Sequence, residues 1–179
     1  MAATFTFGED NGAQTGSPTK GATRTDPRAE VNWKNVDDST TAYSTSPITA
    51  GNNSYDKWQF GHFVGAYNSI ANGLFAHTAG TLGTGLTLVG TVIPPSGAYT
   101  TPATTANTAL AWDISAVLAI TSGSAVFFGA TGPEVVSKAA STTANPAYTQ
   151  WLATQLRTTT AAAAGDTNTV TLTLRYDEN

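Results

Sequence analysis

Apolar residues in this chain come in short runs at period two, interrupted about every ten residues by Gly, Pro, Asn or Asp, the pattern of a β-protein with many short strands. The clearest run is Val170 to Tyr176, where Val170, Leu172, Leu174 and Tyr176 alternate with Thr169, Thr171, Thr173 and Arg175. That alternation predicts a strand with one face buried. Leu86 to Ile93 behaves differently: Leu86, Leu88 and Val92 mark one face, and Thr87, Val89, Thr91 and Ile93 the other. Both faces are partly apolar, which calls for a core on one side and a second contact on the other. Thr4 to Phe7 sets Phe5 and Phe7 between threonines, a short strand suited to a sheet edge or a neighbouring subunit.

Further strands are predicted at Val31–Trp33, Ile70–His77, Ala125–Phe128 and Tyr148–Leu156, with one long strand from Tyr55 to Tyr67 that carries Trp58, Phe60, Phe63 and Val64. Gly61 and Gly65 inside it point to a bulge or a close backbone approach. Leu110 to Ile120 fits helical spacing through Leu110, Ile114, Val117 and Leu118, but Trp112 and Ile114 also fit a strand, and the strand reading is preferred. Turns fall at Asp37–Ser39, Ala50–Asn53, Pro94–Gly97 and Gly132–Pro133, and a loop at Thr158–Asp166. About eight to ten short strands without an alternating helix pattern imply an all-β fold, an antiparallel two-sheet sandwich of jelly-roll or immunoglobulin-like type. Gly8 to Glu30 holds almost no large apolar residue and reads as an extended arm or a long loop. The expected organisation is therefore an N-terminal arm over residues 1–30 and a sandwich domain over 31–179.

Charge changes the picture. Charged residues make up 11% of the chain, against about a quarter in ordinary soluble domains. Between Trp58 and Pro133 the one formally charged residue is Asp113. A surface of hydroxyls and small apolar groups loses less than an ionic one when another protein covers it. The eight Lys and Arg are scattered within a net charge of −4, so no basic stripe is present for nucleic acid. With no cysteine there is neither disulfide framework nor thiolate chemistry. Neither a secretory signal nor an apolar run of membrane-spanning length is read in the sequence.

Candidate chemistry is sparse. A metal site would need His62 and His77 to converge with a carboxylate such as Asp56 or Asp113, and no ligand-like spacing supports that. Gly83–Thr87 lacks the lysine and helix of a phosphate loop, and there is no nucleophile elbow. Asp37-Asp38 and Asp177-Glu178 are adjacent pairs in a turn and a terminal tail, read as solvated charges, since side chains on neighbouring strand positions point to opposite faces, a poor arrangement for glycoside cleavage. Asp113 reads as a hydrogen-bonded structural carboxylate. Trp33, Trp58, Trp112 and Trp151 raise a sugar-stacking alternative, but each lies in a predicted strand where core packing accounts for it.

The block Asn53-Ser54-Tyr55-Asp56-Lys57-Trp58, followed by Gly65 to Phe75 and Gly80, resembles a pattern in small virion proteins of tailed bacteriophages. Tyr148 to Leu156, then Gly165-Asp166-Thr167 and Thr171 to Glu178, is similar to the terminal hairpin of the same proteins. Together these blocks cover about a third of the chain. The resemblance implies a β-sandwich structural protein of the virion, assembled in the host cytoplasm, with no enzymatic activity and no cofactor.

Three readings follow. The first is a capsid decoration or cement protein that binds the assembled shell, with the major capsid protein or other virion proteins as partners and a homo-oligomer, such as a trimer on a threefold axis, as the working state. The second is a neck, tail or fibre component with a host-recognition face that binds glycans, which would show exposed aromatics clustered at one loop end. The third is a soluble enzyme or lectin in which His62, His77 and Asp113 share a pocket. For the first, the contact candidates are Phe5, Phe7 and Arg24 on the arm and Thr87, Val89 and Thr91 on a neutral strand face.

Overall fold

The computed structural model describes residues 2–17, 19–92, 99–130, 132, 139–163 and 169–179. The chain is an all-β sandwich of two antiparallel sheets. The strands are β1 (Ala3–Thr15), β2 (Lys20–Thr25), β3 (Lys57–Gly65), β4 (Ile70–Ala79), β5 (Leu86–Val92), β6 (Trp112–Asp113), β7 (Ser124–Ala125), β8 (Phe128–Gly129), β9 (Ser141–Thr142), β10 (Ala147–Thr149), β11 (Leu152–Thr158) and β12 (Thr171–Glu178). The larger sheet runs β2-β1-β3-β11-β5-β6, with β10 pairing both β3 and β8. The smaller runs β12-β4-β7, with β9 also on β4.

Between the sheets, Phe63, Ala147 and Leu152 from the larger pack against Ile70, Phe75 and Leu174 from the smaller, joined by Val126 and Phe128. Gly61 is needed where the layers come closest. A Cβ there would sit 2.8 Å from the Phe5 ring and 2.9 Å from Leu174. Of the bulge and the close approach that the sequence left open, Gly61 takes the close approach, to side chains, and Gly65 ends β3 at φ 111° without making a bulge within it.

The outer face of the larger sheet is covered as well. Trp58, Phe60, Val89, Trp151 and Ala153 form a second core with Tyr99 and Leu110, which arrive from the segment after β5. Buried polar groups hold that segment down. The Asp56 carboxylate accepts from Ala103 N (2.6 Å), Asn107 Nδ2 (3.0 Å) and Trp58 Nε1 (2.7 Å). Gln155 Nε2 donates to the carbonyls of Ser54, Ala103 and Thr105. Both apolar faces of β5 are thus buried inside the chain: Val89 beneath Tyr99 and Leu110, and Leu88 against Ile114 and Leu156.

The segment expected to be an extended arm is part of the larger sheet. β1 pairs with β3 at eight successive positions, from Ala3 opposite Gly65 to Asp10 opposite Trp58, and β2 folds back onto β1 from Glu9 onward. Hydropathy misled because β1 enters the interior with charged and amide side chains. Glu9, Asp10 and Asn11 are almost wholly buried. Glu9 lies 3.4 Å from both Lys57 Nζ and Arg28 Nε, while Asp10, on the opposite face, binds Arg24 through both carboxylate oxygens at 2.7 and 2.8 Å. Burial pushes the Lys57 ammonium below the ordinary lysine range, with Glu9 opposing that shift.

Further expectations change: the strand expected at Ala125–Phe128 divides between β7 of the smaller sheet and β8 of the larger, and Tyr148–Leu156 breaks into β10 and β11. Val31–Trp33 forms no strand; Trp33 instead donates from Nε1 to Thr154 Oγ1 at 3.1 Å and packs beside Leu88 and Leu156. Leu110–Ile120 is neither one strand nor a helix, because it crosses between sheets. Ile114 N bonds Leu88 O on β5, whereas Leu118 N bonds His77 O on β4. Only Trp112–Asp113 pairs as strand there. Ile93, the Pro94–Gly97 turn, Pro133 and Gly165-Asp166-Thr167 lie outside the described residues.

Deleting residues 2–25 is expected to abolish the cooperative unfolding transition, since it strips the β3 edge and leaves the Lys57 ammonium buried without Glu9. A truncated chain with wild-type near-ultraviolet circular dichroism would contradict this. The same network predicts acid sensitivity. Burial works against the Asp38 carboxylate, yet the Lys34 ammonium at 2.7 Å, the Thr41 hydroxyl and N–H, and the Thr40 N–H overcome it and hold Asp38 well below the usual carboxylate range. A carboxyl depressed in the folded state stabilises above its unfolded value and loses that contribution as the pH falls. Denaturant midpoints measured from pH 7 to pH 2 should therefore decline, and Asp38→Asn should be weaker at pH 7 but flatter toward acid.

Candidate interaction surface

Half-buried aromatic side chains gather along one flank, where β1 of the larger sheet runs near β12 of the smaller. Period-two spacing turns Phe5 and Phe7 to the same side as Phe63 of β3. There the Phe5 ring meets Phe7 edge-on at 4.8 Å, Phe63 at 5.0 Å and Tyr176 of β12 at 5.8 Å. Phe63 and Tyr176 also meet edge-on at 4.7 Å, a favoured aromatic geometry. Phe5, Phe7, Leu172 and Tyr176 remain half-buried, with one side against the core and the other toward solvent. Burial raises the Tyr176 hydroxyl above its usual range, and the Glu178 carboxylate adds to the shift.

Phe5, Thr6, Phe7, Pro27, Arg28 and Ala29 line an open depression of about 330 Å³ on this flank. Arg28 N bonds Phe7 O at 2.6 Å, and the Thr6 hydroxyl donates to Asp26 at 2.8 Å, so residues 26–29 form its wall. A second depression of about 280 Å³ is lined by Asp56, Asn107 and a run of threonines and alanines. Its one carboxylate is already occupied by three donors, Trp58 Nε1 and the Ala103 N and Asn107 Nδ2 groups that pin the 99–112 segment.

The six contact candidates are not brought together. Phe5 and Phe7 are on the flank, but two strands, β3 and β11, separate β1 from the β5 that carries the others. Val89 is core, so it leaves the candidate face; Thr87 and Thr91, half-buried, stay at its margin. Arg24 belongs to the fold. Its guanidinium binds Asp10 and lies over the Phe60 ring at 4.5 Å. Sequence reasoning missed Tyr176 and Leu172 as part of the flank, although their alternation with threonines was the available signal.

The histidines and Asp113 are far from sharing a pocket. His77 is fully buried, with Nδ1 2.8 Å from Ile114 O and Nε2 2.8 Å from Ala79 O. His62 binds Asp26 at 2.6 Å and stacks on Tyr148 at 4.4 Å. Asp113 is exposed, and its carboxylate accepts from Ser115 N at 2.9 Å; the Ser115 hydroxyl and N–H hold it below the usual range. No group of three or more His, Asp or Glu side chains able to hold a metal ion occurs among the described residues. Trp58 and Trp151 are core, and Trp33 and Trp112 are half-buried against it.

No protein-family model, curated protein or solved structure matches this chain.

Arg24→Met should lower unfolding stability by about 3 kcal/mol, because it leaves the buried Asp10 carboxylate without its cation. A residue serving only a partner would leave denaturant midpoints within about 0.5 kcal/mol of wild type.

Proposed function

We propose that this protein is a non-enzymatic structural component of a tailed-phage virion, a decoration or cement protein that stabilises the assembled shell by covering part of it. The observation that carries this reading is the distribution of charge. The chain has twenty charged residues, and five of them, Glu9, Asp10, Lys34, Asp56 and Lys57, are at most 2% exposed. Among the described residues, the solvent-facing positions of the long central segment are mostly Thr, Ser, Ala, Asn and Gly, with Val64, Asp113 and Val117 as the exceptions. Covering such a surface incurs little ionic desolvation, and the Phe5–Phe7–Tyr176 flank adds rings for a partner to bury. The partner is the major capsid protein or another virion protein. Binding confined to the assembled shell stabilises that state by mass action, and repeated copies multiply the effect.

The tail or fibre reading requires an exposed aromatic cluster for a glycan or receptor. Tyr43 is the one exposed aromatic among the described residues, so no specific observation favours that reading.

The test is co-sedimentation of the purified chain with heads and with tails isolated separately from the same phage. Decoration predicts binding to heads. Because the contact is neutral, affinity should change less than about threefold between 0.05 and 0.5 M salt. Phe5→Asp is expected to weaken binding tenfold or more. Sedimentation with neither particle would remove the reading, and sedimentation with tails alone would move the protein to the tail.

A further inference from the structure

β12 is the outermost strand of its sheet, and its free edge is regular over its whole length. The register against β4 shifts twice, each time with the extra residue on β4. Ala79 and His77 stand opposite the consecutive Thr171 and Leu172, and Leu74 and Ala71 stand opposite Arg175 and Asp177. Asn72, inside the second shift, takes the left-handed conformation at φ 51°. β12 itself runs unbroken for eight residues and contains neither Pro nor Gly. Edge strands are normally blunted by bulges, prolines or short length, and this one has none of these.

The direction of its free backbone groups can be read from the chain end. Asn179 exchanges both backbone hydrogen bonds with Ser69, each at 3.0 Å, and so faces inward. Alternation along a strand then turns Asp177 and Arg175 toward β4, and the N–H and C=O of Glu178, Tyr176 and Leu174 outward. No backbone hydrogen bond reaches those outward groups from the described residues. On the solvent face, Arg175 and Asp177 are each 45% exposed and meet loosely at 3.9 Å.

We infer that β12 pairs with β12 of a second copy of this chain, antiparallel, about a two-fold axis through Tyr176. In that register Tyr176 meets its own copy as a hydrogen-bonded pair, and Leu174 meets Glu178 of the second copy in the same way. Arg175 and Asp177 then take the intervening positions, where side chains across strands come closest, and each faces the opposite charge on the other copy. Arg-Tyr-Asp reads as a charge palindrome. Antiparallel pairing centred on Tyr176 satisfies both charges at once, and this complementarity selects a second copy over an unrelated strand. The contact is isologous and fuses two four-stranded sheets into one. It is independent of shell binding: a chain that dimerises and ignores phage heads would leave this contact standing.

Sedimentation velocity of the full chain from about 1 µM to about 1 mM tests it. The wild type is expected to form a reversible dimer. Arg175→Asp and Asp177→Arg should each raise the dimer dissociation constant about tenfold, since two attractive contacts become repulsive. The double variant R175D/D177R restores the palindrome with signs exchanged and should recover near wild-type affinity. Circular dichroism and thermal unfolding separate lost pairing from lost fold. Should Asp177→Arg unfold through loss of its 2.7 Å bond from Asn72 Nδ2, Arg175→Asp decides alone, because it leaves that bond intact. A wild type that is monomeric throughout, a dimer indifferent to the Arg175 change, or a folded double variant as weak as the single ones would overturn the inference.

Discussion

The paired burial of Glu9 and Asp10 on opposite faces of the larger sheet is the constraint on which the rest of the structure depends. Successive residues of a strand point to opposite faces, so β1 delivers one carboxylate to each side of the larger sheet. On one side Glu9 draws in Lys57 and Arg28; on the other Asp10 draws in Arg24, which closes over Phe60. Each carboxylate would be costly to bury alone, and each cation likewise. The pairings therefore tie the β1–β2 hairpin, the segment leading to β3, and β3 itself into one arrangement. A strand with little apolar surface becomes integral to the sheet because its charges have partners nowhere else.

This inward placement bears on what the outside can do. A domain with few charges normally risks poor solubility, yet here the apolar side chains are well covered and the exposed remainder is mostly hydroxyl, amide and methyl. Such a surface neither steers partners over long range nor resists being covered. Under the proposed function, recognition would rest on shape and on places where rings or strand edges are open, the Phe5–Tyr176 flank and the β12 edge among them. Both lie on the same side of the sandwich, where neither sheet is closed by a further full-length strand.

The buried polar clamps show a second way of replacing hydrophobic mass. Asp56 and Gln155 organise the 99–112 segment through backbone donors and acceptors, so a stretch rich in Thr, Ala and Asn covers the aromatic core of the outer face. Tyr99 and Leu110 supply the apolar contacts, and Tyr99 Oη donates to Gly12 O at 2.8 Å, linking this cover back to β1. That cover is why the two-sided apolar pattern of β5 needs no neighbouring protein to explain it.

Local pattern alone determined that the chain is all-β and where β3, β4, β5 and β12 run, because period-two alternation is a property of neighbouring residues; at Gly61 it left a bulge and a close approach both open. The flank residues Phe5 and Phe7 were legible for the same reason. Tertiary structure alone decided that residues 8–25 belong to the sheet, that Arg24 and Val89 face inward, and that residues 110–120 cross between sheets. Those outcomes hang on partners remote in sequence, such as Glu9 and Lys57 at a separation of 48 residues or Asp56 and Asn107 at 51. A charged side chain declares its exposure only once its counterion is placed, and no local periodicity records where that counterion will be.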